Sequence, residues 1–198
     1  MKLYEYTPTR SARVRWVINE VDAKIESVNS RDLIGSEELK KIHPMGKLPA
    51  LQDGDRSLFE SIAITNFIAD KHSYGDLIPK AGTWERALHD QWSFFVVNEI
   101  EMYLWHTAQH TFKYPENERV PQVFTKNSEE TAKGLKVIDE HLAKNNFMLG
   151  EQFSVTDIIV GYTLNWAGNM KMLSDFPNAN RYLDDLHKRA ECPLVKKD

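Results

Sequence analysis

Apolar residues recur along this chain with two different periods, and the change of period divides it. Lys2 to Tyr6 reads as a strand, Val14, Val17, Ile18 and Val21 fall at helical spacing, and Ile25 to Val28 reads as a second strand. A short helix around Glu37 to Ile42 follows. Pro49 to Gln52 and Ser57 to Phe59 then flank Asp53-Gly54-Asp55 as a hairpin, and Ile64, Phe67 and Ile68 line a closing helix. The order predicts a βαβαββα layer of helices on a mixed sheet.

Leu77-Ile78-Pro79-Lys80-Ala81-Gly82 carries the Pro and Gly punctuation of a linker, and from Thr83 onward no strand pattern appears. Leu88, Trp92, Phe95 and Val96 form one helical stripe and Leu135, Ile138 and Leu142 another, all expected in the core of a helical bundle. A further helix starts at Phe153-Ser154-Val155-Thr156-Asp157-Ile158. There Ser154 caps, Asp157 bonds back, and Phe153 packs on Ile158 as a staple. The apolar run Ile158 to Trp166 predicts burial on most sides. The expected organisation is an α/β domain at 1–78, a linker at 79–84 and an all-α helical domain at 85–198.

Chemistry enters with two fragments of the first part. Lys47-Leu48-Pro49-Ala50-Leu51 wedges a Pro between apolar residues, and Glu60-Ser61-Ile62-Ala63-Ile64 opens a helix with an acid and a hydroxyl. A cis bond before Pro49 turns the N–H and C=O of Leu48 outward, where they can pair with an extended peptide as an added strand would. The helix start at Ser61 offers orphan N–H groups and partial positive charge to a carboxylate, and Glu60 can take an ammonium. A peptide with free ends satisfies all three, as glutathione does. The pair resembles the way a thioredoxin-like domain presents itself to that tripeptide. An ordinary Pro turn and an ordinary helix cap explain either fragment alone, but not the pair joined by one hairpin.

With these motifs, the Thr7-Pro8-Thr9-Arg10-Ser11 loop and a helical second half, the chain resembles the soluble glutathione transferase superfamily over essentially its whole length. Arg10-Ser11-Ala12-Arg13-Val14-Arg15-Trp16 resembles the first helix of bacterial Ser/Thr-type members. The resemblance implies a thioredoxin-like N-terminal domain, an all-α C-terminal domain, reduced glutathione as substrate with no metal, and a homodimer. It also makes Ser154 and Asp157 a folding signature.

Composition narrows the partners. With 198 residues, 41% hydrophobic and 27% charged, the chain can bury a proper core. Its net charge of −4 argues against nucleic acid and against an anionic membrane surface. No apolar run approaches membrane-spanning length, and Met1 to Tyr6 has no apolar leader pattern, so a cytoplasmic location is expected. The single cysteine, Cys192, allows neither a disulfide framework nor a Cys-x-x-Cys pair within one chain.

The thiolate of glutathione is the nucleophile, and a free thiol near pKa ~8.5 is only slightly ionised at neutral pH. A hydroxyl aimed at the sulfur corrects this, and in the family it comes from the turn after the first strand. Here that turn offers Thr9 and Ser11. Thr9 falls nearest the family's serine, while Ser11 can equally cap the following helix. Tyr6, in the strand, is a third hydroxyl or a core residue. Arg10 and Arg13 add positive potential or point to solvent. Lys47, with His43 as the weaker candidate, matches the family's cation for the glycine carboxylate. The electrophile is expected between the first-domain turn and the first bundle helix, where Glu99, Tyr103, His106 and His110 recur beside Trp105 and Phe112. Ordinary helix surface or a dimer face also explains this group. His106 and His110 lack the Glu of His-Glu-x-x-His, so no metal is expected.

Three functions follow in order. The first is a glutathione transferase acting on a small electrophile or a peroxide. The second is a non-enzymatic protein-interaction or stress-response module that keeps the fold. The third is a glutathione-dependent disulfide reductase.

Overall fold

A computed structural model describes residues 1–73 and 75–194, so the end of the expected helical domain, 195–198, lies outside the described residues. The chain divides into two compact units: residues 1–86 together with 189–194, and residues 87–188.

The first unit carries strands β1 (Lys2–Glu5), β2 (Glu26–Asn29), β3 (Ala50–Asp53) and β4 (Arg56–Phe59) and helices α1 (Ala12–Glu20), α2 (Glu37–Lys40) and α3 (Ser61–Ser73). The sheet order is β2-β1-β3-β4, with β1 parallel to β2 and antiparallel to β3, and β3–β4 a hairpin in which Ala50 faces Phe59. This is the expected βαβαββα thioredoxin-like layer. Alternation along β1 divides the core between the two faces of the sheet. Tyr4 joins Leu33, Leu39, Ile42, Leu48 and Ala50, with Tyr6 and Val28 packed against them. Leu3, next in line, is buried on the opposite face, and α1 packs on α3. Past α3, Arg86 donates to the Asp70 carboxylate at 3.0 and 2.8 Å and to Pro79 O at 2.7 Å.

The second unit is helical. It contains most of α4 (Trp84–Val96), then α5 (Met102–Ala108), α6 (Val123–Leu142), α7 (Val155–Asn169) and α8 (Pro177–His187). The backbone stays helical through wider i→i+5 turns at Val97–Glu101 and Gln109–Lys113. α6 approaches the first of these turns closely: a Cβ on Gly134 would lie 2.5 Å from Ile100 Cγ1 and 2.7 Å from Glu99 O. Leu135, Ile138 and Leu142 are buried as expected, and α7 is buried continuously from Val155 to Leu164. Ser154 Oγ accepts from Thr156 N–H, and the Asp157 carboxylate accepts from Ser154 N–H at 2.8 Å, closing the predicted cap.

The stripe expected on α4 needs correction. Leu88, Trp92 and Phe95 are only half-buried, and the buried face runs through His89, Ser93 and Val96. His89 Nδ1 lies 2.9 Å from Thr156 Oγ1 on α7, so a polar contact draws in a face that the apolar pattern left outside.

Candidate functional site

The predicted glutathione motifs all fall in the first unit, where the fold brings them together. The Leu48–Pro49 bond is cis. Gly46, at φ +58°, accepts from Gly35 N–H at 2.9 Å and donates to His43 O at 2.7 Å, and its missing Cβ leaves room for Gly35 Cα. That turn delivers Lys47 to the surface and Leu48 to the core, with Pro49 beginning the approach to β3. Among the described residues Leu48 takes no part in the backbone hydrogen bonds of turns, strands or caps.

Because Ala50 pairs with Phe59, Pro49 and Glu60 lie next to one another past the end of the hairpin ladder. Glu60 is exposed and sits at φ +72°, a left-handed backbone that side chains other than Gly rarely adopt. Its carbonyl accepts from Ile64 N–H at 3.0 Å, so Glu60 is the residue from which α3 starts. The first N–H groups of α3 therefore have no intrahelical acceptor, and Ser61 itself is buried.

Beneath that helix end lies Arg13, 1% exposed, whose Nη1 donates to Ser61 Oγ at 3.3 Å. The solvent position considered for Arg13 is thus corrected. It shares the face of Val14, Val17 and Ile18, and its guanidinium adds positive charge behind the end of α3. His43 also departs from expectation. It is buried against Phe59, with ring centroids 5.0 Å apart, and its Nδ1 accepts from Met45 N–H at 3.2 Å. Burial lowers its pKa, and the Lys47 charge acts in the same sense against the opposing pull of Glu60. Burial thus disfavours the charged form of His43, and of the two candidate cations only Lys47 is exposed.

The turn after β1 holds the two hydroxyls. Ser11 precedes α1 but makes no cap bond through its side chain. It is fully buried, its Oγ accepts from Tyr6 N–H at 3.2 Å, and it lies 2.9 Å from Thr9 Oγ1. Thr9 departs from helical angles (φ −101°, ψ −174°), is half-buried, and donates to Tyr6 O at 2.7 Å. Sequence reasoning identified both hydroxyls but not the Tyr6 main chain that anchors them.

In the second unit, Tyr103, Trp105 and His106 lie on α5. Trp105 meets Trp166 edge to face at 6.4 Å, Tyr103 is half-buried and His106 is exposed. His110 Nδ1 accepts from Val120 N–H at 3.1 Å, and its ring packs on Tyr114. Among the described residues no cluster of three or more His, Cys, Asp or Glu side chains is arranged to hold a metal ion. No helix among them is long and apolar enough to cross a membrane.

A cis-Pro turn beside a helix start, on a thioredoxin-like sheet followed by a helical unit, defines a class of two-part proteins. Comparison with known proteins gives the class its name. Residues 1–70 match the glutathione S-transferase N-terminal domain and residues 121–185 the corresponding C-terminal domain. Glutathione S-transferase 3 of Zea mays is 33% identical over 157 residues, 73% of this chain and 68% of the relative. A solved structure of glutathione S-transferase-I bound with lactoylglutathione is 25% identical, with a TM-score of 0.78 over 96% of this chain and 95% of the other. Probable elongation factor 1-gamma 2 of Arabidopsis thaliana is 32% identical over 82% of this chain, but the match spans only 40% of that protein. The chain belongs to the glutathione S-transferase family.

Proposed function

We propose that this protein is a glutathione transferase of the Ser/Thr type. The observation that carries the reading is the convergence in one unit of the Leu48–Pro49 turn, the α3 start at Glu60-Ser61 backed by Arg13, and the Thr9–Ser11 hydroxyls. The Leu48 main chain holds the cysteinyl part of reduced glutathione beside Pro49. Ser61 and the first N–H groups of α3 take the γ-glutamyl carboxylate, Glu60 its ammonium, and Lys47 the glycine carboxylate. The thiol releases its proton to solvent, the hydroxyl turn stabilises the thiolate, and sulfur attacks the electrophilic carbon, forming a carbon–sulfur bond as a leaving group departs with its bonding pair or, in an addition, as a π pair shifts to the neighbouring atom and takes a proton from solvent. In a side activity the thiolate attacks the O–O bond of a peroxide, an alcohol leaves, and a second glutathione thiol displaces water from the resulting sulfenic acid to give the disulfide.

Tyr103, Trp105 and His106, all on α5, are the side chains this reading gives to the electrophile, and their aromatic and polar mixture suits a small apolar molecule with one polar handle. Residues 1–78 form the glutathione-binding part, the assembly is a homodimer, and the location is cytoplasmic. Support comes from the family and from the lactoylglutathione-bound relative.

Calorimetric titration with reduced glutathione in two buffers of different ionisation enthalpy tests the reading. Binding with proton release near neutral pH is the expected result, and absence of binding overturns it. That negative result would favour the second reading, a non-enzymatic module, to which the likeness to elongation factor 1-gamma points.

A further inference from the structure

We infer that His43 is a positioning residue for glutathione: its neutral ring holds, through Nδ1, the turn that presents Lys47 and Leu48, and protonation of that nitrogen releases the turn and weakens binding. The inference rests on the glutathione reading and deepens it by placing that site under the control of pH.

The turn hangs on His43 at three points. Its N–H donates to Leu39 O of α2 at 2.8 Å, its carbonyl accepts from Gly46 N–H at 2.7 Å, and its Nδ1 accepts from Met45 N–H at 3.2 Å. Because Nδ1 accepts, the one proton of the neutral imidazole sits on Nε2. A second proton can go only to Nδ1, which then meets Met45 N–H donor to donor. The ring has little room to turn away, since it is 5% exposed and packs on Phe59 with centroids 5.0 Å apart. The turn gives way instead, and it leads directly into Lys47 and Leu48.

Burial and the Lys47 charge oppose the second proton, while Glu60, next to Phe59 in the chain, favours it. Lys40, whose Cγ would lie 3.3 Å from a Cβ on Gly46, has its Nζ on Glu37 at 2.7 Å. The ring therefore resists protonation until the solution is more acid than the ordinary histidine value of 6.5. A ring that served as a direct cation for the glycine carboxylate would give the opposite sign, with acid strengthening the complex. The geometry points to weakening, because the incoming proton arrives on the nitrogen that faces Met45.

The test is calorimetric titration with S-methylglutathione, which has no thiol proton to lose, from about pH 7.5 down to about pH 5, the range in which histidine changes charge. Wild type, His43→Asn and His43→Phe are compared. The Asn Oδ1 stands where Nδ1 stands and accepts from Met45 N–H at every pH, whereas Phe keeps the ring packing without an acceptor. Wild type and His43→Asn should bind alike at the upper end, and the wild type should become about fivefold weaker than His43→Asn once its ring has titrated, the worth of about one neutral hydrogen bond. Groups that titrate elsewhere, Glu60 included, are common to both proteins and cancel. His43→Phe should be about fivefold weaker throughout. By reciprocity the His43 ring, followed by its proton NMR signal, should titrate at a lower pH in the complex than in the free protein. Equal pH profiles for wild type and His43→Asn overturn the inference, even where His43→Phe fails to fold. So does a wild type that gains affinity on acidification relative to His43→Asn. Failure of the wild type to bind at neutral pH removes the glutathione reading and this inference with it, whereas binding with equal profiles removes the inference alone.

Discussion

The buried guanidinium of Arg13 donates to the hydroxyl of Ser61 at 3.3 Å, tying the second residue of α1 to the first of α3. One side chain thus ties down the helix start proposed to bind the γ-glutamyl carboxylate.

Replacing Arg13 by Met keeps most of the buried volume and removes the charge. Glutathione affinity should fall by about 1.5–3 kcal/mol, the range for a lost hydrogen bond to a charged group. Calorimetry on the folded variant measures this, and an unchanged affinity would place the carboxylate away from α3.

Asp157 anchors the second unit. Its fully buried carboxylate accepts from Tyr182 OH and Met148 N–H, each at 2.7 Å, and from Ser154 N–H and Oγ. Burial pushes the Asp157 pKa up against these four donors, and burial with the adjacent carboxylate pushes that of Tyr182 well up. Tyr182→Phe should cost about 1–2 kcal/mol for one hydrogen bond, and Asp157→Ala about 3–5 kcal/mol because it leaves several buried donors unmatched. Urea unfolding midpoints report both. A Tyr182→Phe variant as stable as the wild type would show the hydroxyl to be energetically idle.

His43 makes stability depend on pH. Its folded pKa is lowered from the ordinary 6.5, chiefly by burial, so below that value the unfolded chain takes up a proton that the folded chain resists. This contribution is fully present above pH 6.5 and is lost as the pH falls from there through the folded pKa. His43→Asn preserves an acceptor for Met45 N–H and removes the titration. Its melting temperature should decline less than that of the wild type across the same window, and parallel curves would contradict the assignment.

Gly134 has no room for a methyl group. Gly134→Ala should destabilise by about 1–3 kcal/mol, because the Glu99 carbonyl is backbone and yields only if the wide turn shifts. Thermal unfolding measures the loss, and a neutral result would show that α6 moves freely.

Much of this was legible in the sequence where one local rule dominated. The period change gave the βαβαββα order, Ser-x-x-Asp gave the α7 cap, and Leu135, Ile138 and Leu142 gave the buried face of α6. Arg13 could have been found too, since it falls on the stripe of Val14, Val17 and Ile18. The buried face of α4 could not, because His89 is drawn in by Thr156 from a helix some 67 residues away in sequence. His43 was misjudged because its burial against Phe59 depends on the hairpin. The anchorage of Thr9 and Ser11 on the Tyr6 main chain depends on one extended residue inside a helical turn, which no periodicity encodes.

Glu20 receives Trp16 Nε1–H at 2.9 Å and both Arg189 nitrogens at 3.0 and 2.9 Å, while Asn19 donates to Glu191 O at 3.2 Å. The strap that closes α1 thus comes from residues made after the entire helical unit. During synthesis the sheet can assemble early, yet α1 gains its last partners only when the ribosome has passed residue 191. A gene fragment cut at residue 86 would encode a sheet with an unfastened edge to its first helix.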